Sequence, residues 1–193
     1  MYKIVMVIYM KEKNNKIIVI INTIAIFLSM FLFSFIYEKL PNFLTAALFP
    51  VNESLFEHLK LMFTSFVLVS LITYVVLKIK DIKVNNYFLA TLISVISNIG
   101  LFFLIYLPLY NHFGENLILT MSLYFIVLVI SEYIFYLIIT KFKHQDIYNI
   151  ISLILLPVLW CLLIYFTFNP RRTDFFFDTV SEKYGINIHV TND

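Results

Sequence analysis

Five apolar runs, each about 20 residues long and each fenced by charged or polar residues, dictate what this chain can fold into. They span about Ile17 to Tyr37, Leu55 to Leu77, Tyr87 to Leu109, Leu117 to Thr140 and Ile150 to Phe168. A helix of about 20 apolar residues crosses a hydrocarbon core roughly 30 Å thick. In such a core every backbone N–H and C=O must be satisfied within the fold, which leaves helices or closed barrels. Runs of this length predict helices, so the expected fold is an all-α, polytopic transmembrane bundle. Composition removes the alternatives: 61% of residues are apolar and 13% charged, against about 25% charged in soluble domains. An ordinary soluble enzyme and a disordered chain are excluded. A net charge of +2 from 14 basic and 12 acidic residues also excludes a nucleic-acid binder.

Residues 1–168 are expected to form one transmembrane domain, and 169–193 a short extramembrane tail docked at the interface through aromatics such as Phe175 to Phe177. Leu40 to Pro50 is too short to span and reads as an interfacial or re-entrant segment. Met1 to Met10 reads as an interfacial leader or as an artefact of start-site choice. The first run ends in Phe-Ile-Tyr-Glu-Lys rather than at a small-residue cleavage site, so it is read as a mature helix, not a signal peptide. Pro108 and Pro157 can kink or end their helices. Lysines set the orientation. Lys3, Lys11, Lys13, Lys16, Lys78, Lys80, Lys83, Lys141 and Lys143 fall at alternate loops, which predicts a cell-membrane protein with a cytoplasmic N-terminus and an outer C-terminus. The bilayer is the expected partner, and nothing in the sequence indicates a cofactor.

The densest polar stretch, Asn52-Glu53-Ser54-Leu55-Phe56-Glu57-His58-Leu59-Lys60, immediately precedes and opens the second run. Ser54 and Glu57 form a capping-box pattern, in which the serine oxygen accepts from the Glu57 N–H and the glutamate returns to the serine N–H. Capping leaves Asn52, Glu53, His58 and Lys60 unexplained. Glu57 and Lys60, three apart, can pair on a helix, while His58 points about 100° away from Glu57. Glu57 or Glu53 beside His58 suits general acid/base work, with Lys60 holding an anionic group. No His-Glu-x-x-His motif occurs and no metal site is assigned; one would need ligands gathered from His112, Glu115, Asp174, Asp178 or His189. Cys161 cannot form an internal disulfide and reads as an apolar filler.

The second feature is Glu132, about eight residues inside the fourth run, or roughly 12 Å into the hydrocarbon at about 1.5 Å per residue. A charged group there costs about 2.5–3.5 kcal/mol on insertion scales, so it should face the bundle interior with a partner or a proton. Ser94, Ser97 and Asn98 on the third run are the expected hydrogen-bond partners.

The stretch Phe49 to Lys60, with Asn169-Pro170, Phe177-Asp178 and Tyr184-Gly185-Ile186 in the tail, resembles a family of small bacterial multipass membrane proteins of unknown function. Its hallmark is N-E-S-x-x-E-H-x-K before a transmembrane helix, with an F-x-D-x-x-x-x-x-Y-G-I-like ending. The resemblance implies that Asn52, Glu53, Ser54, Glu57, His58, Lys60, Asp178, Tyr184 and Gly185 matter. The chain departs from the pattern after Gly114, where Glu115 follows and Thr120 to Ser122 offer no acid. Three functions stay open: a membrane enzyme or ligand site at the outer interface, acting through Glu57 and His58 on a lipid or lipid-linked substrate; a transporter or ion pathway centred on Glu132 and Asn98; and a non-catalytic partner subunit.

Overall fold

A computed structural model describes residues 2–114 and 116–186, with side chains from residue 15 onward. Among the described residues seven α-helices are formed: α1 Tyr2–Ser34, α2 Ile36–Lys39, α3 Phe43–Leu48, α4 Leu55–Ile79, α5 Tyr87–Phe113, α6 Leu117–Lys141 and α7 Asp146–Phe168. Five stretches of the described residues are long and apolar enough to cross a membrane: Asn15–Lys39, Leu55–Ile79, Tyr87–Phe113, Leu117–Lys141 and Asp146–Phe168. The fold is thus an all-α helical bundle. Two-residue strands in the tail, β1 Phe177–Asp178 and β2 Lys183–Tyr184, pair antiparallel.

The four helices α1, α4, α5 and α6 close into a ring: α1 packs against α4 and α6, and α5 packs against the same two. Helix α7 lies outside the ring against α5 and α4, with Ile147, Ile150, Ile154, Val158 and Leu162 turned outward. Its one cysteine, Cys161, is exposed on this outer helix and unpaired. An apolar exterior of this kind needs lipid around it, because soluble chains rarely expose such continuous apolar patches.

Helix boundaries follow local chemistry. Ser54 Oγ accepts from the Glu57 N–H at 3.3 Å, and Asn116 Oδ1 from the Leu119 N–H at 3.0 Å, which satisfies N-terminal donors that have no carbonyl in their own helix. Helix α5 begins differently, since Asn149 of α7 accepts from the N–H groups of Phe88 and Leu89 at 2.9 and 3.3 Å. A cap from another helix is also a docking contact. Both prolines lie inside continuous helices, as neighbouring helices allow in a bilayer. Helix α5 ends instead at Gly114, whose φ of +70° with ψ of −165° is open to glycine.

Helix α1 runs unbroken from Tyr2 to Ser34, and the stretch apolar enough to span begins within it at Asn15. The stretch from Leu40 to Pro50 contains α3, whose six residues span about 9 Å. Asn42 and Thr45 cap it reciprocally, and it packs against α4 and α7.

Candidate functional site

The sequence cluster at the start of α4 divides into two environments, because consecutive helix residues point about 100° apart. Glu57 and Lys60 turn inward, 1% and 0% exposed. Lys60 Nζ lies 2.6 Å from Glu57 Oε2 and donates to Thr167 Oγ1 at 2.8 Å and the Ala46 carbonyl at 2.9 Å. Thr167 Oγ1 donates to Glu57 Oε1 at 3.0 Å, and the Val51 N–H to Glu57 Oε2 at 3.2 Å. All three ammonium protons and both carboxylate oxygens are therefore occupied. The pair locks α3, α4 and α7 together, with neither charge open to a ligand. The return arm of the capping box is absent: Glu57 has gone to Lys60, and the Ser54 N–H is taken by Asn52 Oδ1 at 2.9 Å.

His58 faces the other way. Its Nδ1 lies 3.0 Å from the Ser54 carbonyl; a carbonyl only accepts, so Nδ1 carries the proton in that bond and Nε2 is left to act. Nε2 points toward Glu53 Oε2 at 3.6 Å. Both side chains line a cavity of about 220 Å³ together with Asp174, walled by Phe102, Phe103, Tyr106, Tyr110 and Phe177. Glu57 and His58, adjacent in sequence, thus do not form the expected acid/base pair; Glu53 is the acid beside His58.

The tail roofs this cavity. Phe176 stacks on Phe56 of α4 with ring centroids 4.6 Å apart, and Phe175 meets Phe103 of α5 at 6.0 Å. Asn52 Nδ2 donates to the Gly185 carbonyl at 2.9 Å. Asp178 is buried in the roof and accepts from the Val180 N–H at 2.9 Å and from the Ser181 hydroxyl. It holds the turn instead of lining the cavity; Asp174 supplies the tail's carboxylate there. Burial pushes the Asp178 carboxyl up, but donation from the Ser181 side chain and from the Val180, Ser181 and Glu53 backbone outweighs it and holds the group below its ordinary value.

A depressed folded-state value stabilises the docked tail above the ordinary aspartate range, near about pH 3.9, and that stabilisation is lost as pH falls through the lower folded value. Hydrogen exchange of tail amides should therefore accelerate below that range in the wild type. In Asp178→Asn it should be fast and pH-insensitive after correction for intrinsic exchange; a pH response equal to the wild type's would sink this account.

Glu132 and Asn98 lie elsewhere, in the middle of the ring and both fully buried. The hydrogen bonds expected between Glu132 and Ser94 or Asn98 are not formed: both Glu132 oxygens, Ser94 Oγ and both Asn98 side-chain atoms have no partner among the described residues. Ser97 is half-buried. Among the described residues no group of three His, Cys, Asp or Glu is placed to hold a metal. Of the ligands considered for one, Glu115 and His189 lie outside the described residues.

Sequence reasoning missed Thr167, which joins the Glu57–Lys60 pair from 107 positions beyond Lys60. No spacing rule links the two. It also missed the aromatic wall on α5, whose residues read as ordinary span.

Residues 6–186 match the family of unknown function DUF6512, and the chain belongs to that family. No curated protein and no solved structure matches the chain.

Proposed function

We propose, with membership of a family of unknown function as the premise, that this protein binds the polar headgroup of a lipid or lipid-linked substrate at one membrane boundary, with His58 as its proton-transfer group. The observation that carries this reading is the convergence of His58, Glu53 and Asp174 on one small cavity at the end of the bundle. The charge balance there differs from the sequence expectation of a bound anion. Lys60 is neutralised in the interior, while two carboxylates and a row of aromatic faces line the cavity. Carboxylates with aromatic walls suit an ammonium group, so the favoured substrate carries an amine. His58 Nε2 is the acceptor for a proton from that ammonium or from a hydroxyl beside it, and Glu53 stabilises the imidazolium so formed.

In this reading Asn52, Ser54, Asp178 and the Glu57–Lys60 pair are positioning residues: they hold the helix start and the tail at the distance the cavity needs. The lysine-bearing loops are assigned to the cytoplasm, which puts the cavity and the tail at the outer leaflet of the cell membrane. In this reading residues 169–186 serve as a roof to the transmembrane unit, and residues 187–193 of the expected tail lie outside the described residues.

The test is binding of a short-chain phosphatidylethanolamine to the purified full chain in detergent, with the matching phosphatidylglycerol as the comparison. The amine lipid should bind better, and His58→Ala or Glu53→Gln should weaken it about tenfold, the loss expected for one charge-assisted contact of about 1.5 kcal/mol. Equal binding of the two lipids, or no change in either variant, would remove the proposal. Two larger grooves, of about 490 and 440 Å³, are walled mainly by apolar outward faces of α1, α4 and α6, where acyl chains pack, and are not read as sites.

A further inference from the structure

The centre of the helix ring has chemistry that the interfacial cavity does not explain. Ser65 and Ser70 on α4, Ser94 and Asn98 on α5, and Tyr124 and Glu132 on α6 are each no more than 1% exposed. Each of these side chains has at least one polar atom without a partner among the described residues, and Glu132 and Asn98 have both. Buried polar atoms are otherwise almost always paired, and one such orphan costs about 1–3 kcal/mol. Thr64 of α4 is in the same state, so these three adjoining helices hold seven such side chains among the described residues, which mark a place built for something besides packing.

The layer is enclosed. On one side Phe102 and Tyr124 meet at 6.0 Å, and on the other Tyr87 and Phe135 meet at 5.3 Å; Ser94, Asn98 and Glu132 fall between these pairs along α5 and α6. Tyr87 is fixed by donating to the Ser70 carbonyl at 2.8 Å. Phe102 borders the cavity of about 220 Å³ at the His58 end. Tyr87 borders one of about 340 Å³ at the opposite end, lined also by Lys78, Asp81, Lys83 and His144. One aromatic layer thus separates the polar centre from a vestibule at each end.

We propose that this layer is an occluded binding site for one alkali-metal cation, which exchanges with the proton of Glu132. The available donors are a carboxylate, an amide oxygen and hydroxyls. Such hard oxygen groups suit hard cations rather than soft transition metals. Charge selects among the hard cations: one carboxylate balances one positive charge, whereas a divalent ion would leave an unpaired charge in a low-dielectric interior. The exchange is neutral, since the cation enters as the carboxyl proton leaves.

The purified full chain in detergent, weakly buffered and held at constant ionic strength with N-methylglucamine chloride, is titrated with sodium chloride and with potassium chloride while a pH indicator reports released protons. At least one salt should release about one proton per chain, saturably and reversibly. Glu132→Gln, close in shape, should abolish the release, and Asn98→Ser should raise the half-saturating concentration about tenfold, as loss of a ligating group does. Absence of proton release from the wild type with both salts overturns the proposal whether or not the variants fold. So does undiminished release from Glu132→Gln, or tighter, proton-releasing binding of calcium chloride.

Discussion

Lys60→Met should destabilise the protein by about 3–5 kcal/mol, the cost of stripping one partner from a buried ion pair. The figure follows from what the change leaves behind. Glu57 is 1% exposed and would keep only the Thr167 hydroxyl and the Val51 N–H for a full negative charge with no water to reach it. Glu57→Gln/Lys60→Met should recover most of the loss, because a paired deletion removes the charge that the single change orphans. Thermal unfolding of the three proteins in one detergent, followed by helical circular dichroism, measures this. A Lys60→Met protein as stable as the wild type would mean that water reaches the pair, and a double variant weaker than the single would mean that the ion pair itself supplies the stability. Either result would undo the description of these two side chains as a closed lock. A catalytic Glu57 would leave the double variant inactive however stable it is, whereas a lock should regain headgroup binding with its stability.

The start of α4 is legible because a helix entering from a polar loop needs a cap, and the starts of α5 and α6 because a bilayer-spanning run needs length; both are local properties. Ser54 carries the first signal, at α4, and the apolar runs carry the second. The division between Glu57 and His58 was also present in the 100° step of a helix, but choosing which side faces inward required the neighbours. Those come from Thr167 on α7 and Ala46 on α3, and sequence separation hides both. Glu132 illustrates the reverse case. Its burial followed from the cost of a charge in hydrocarbon, and Ser94 and Asn98 on the neighbouring helix were found as candidates. That these groups stand together without hydrogen bonds is a matter of ångströms and rotamers, which periodicity does not encode. The cavity wall was illegible for a simpler reason: Phe102, Phe103 and Tyr106 look like any aromatic residues in a span until the tail folds over them.

That tail depends on one glycine, and Gly185→Ala should release it. Gly185 has a φ of +67°, where a side chain costs about 1–3 kcal/mol. A Cβ built there would lie 2.7 Å from Pro170 Cγ and 3.3 Å from Pro170 Cδ. A proline ring cannot swing aside as a flexible side chain would, so the backbone at residue 185 has to move. Its carbonyl is the acceptor for Asn52, which ties the tail to the segment carrying Glu53 and His58. The strain therefore acts on the roof of the cavity and leaves the helix ring alone. Limited proteolysis should cut the Gly185→Ala tail at least about tenfold faster, the factor that each 1.4 kcal/mol of lost docking energy brings. Amine-lipid binding should weaken with it, while proton release on cation binding stays at the wild-type level. Asn52→Ala, which removes the tether without the clash, should give a smaller change in the same direction. A protected tail in Gly185→Ala would contradict the packing against Pro170. An exposed tail with undiminished amine-lipid binding would show that Asp174 and Phe177 are dispensable, and would confine the headgroup site to α4 and α5.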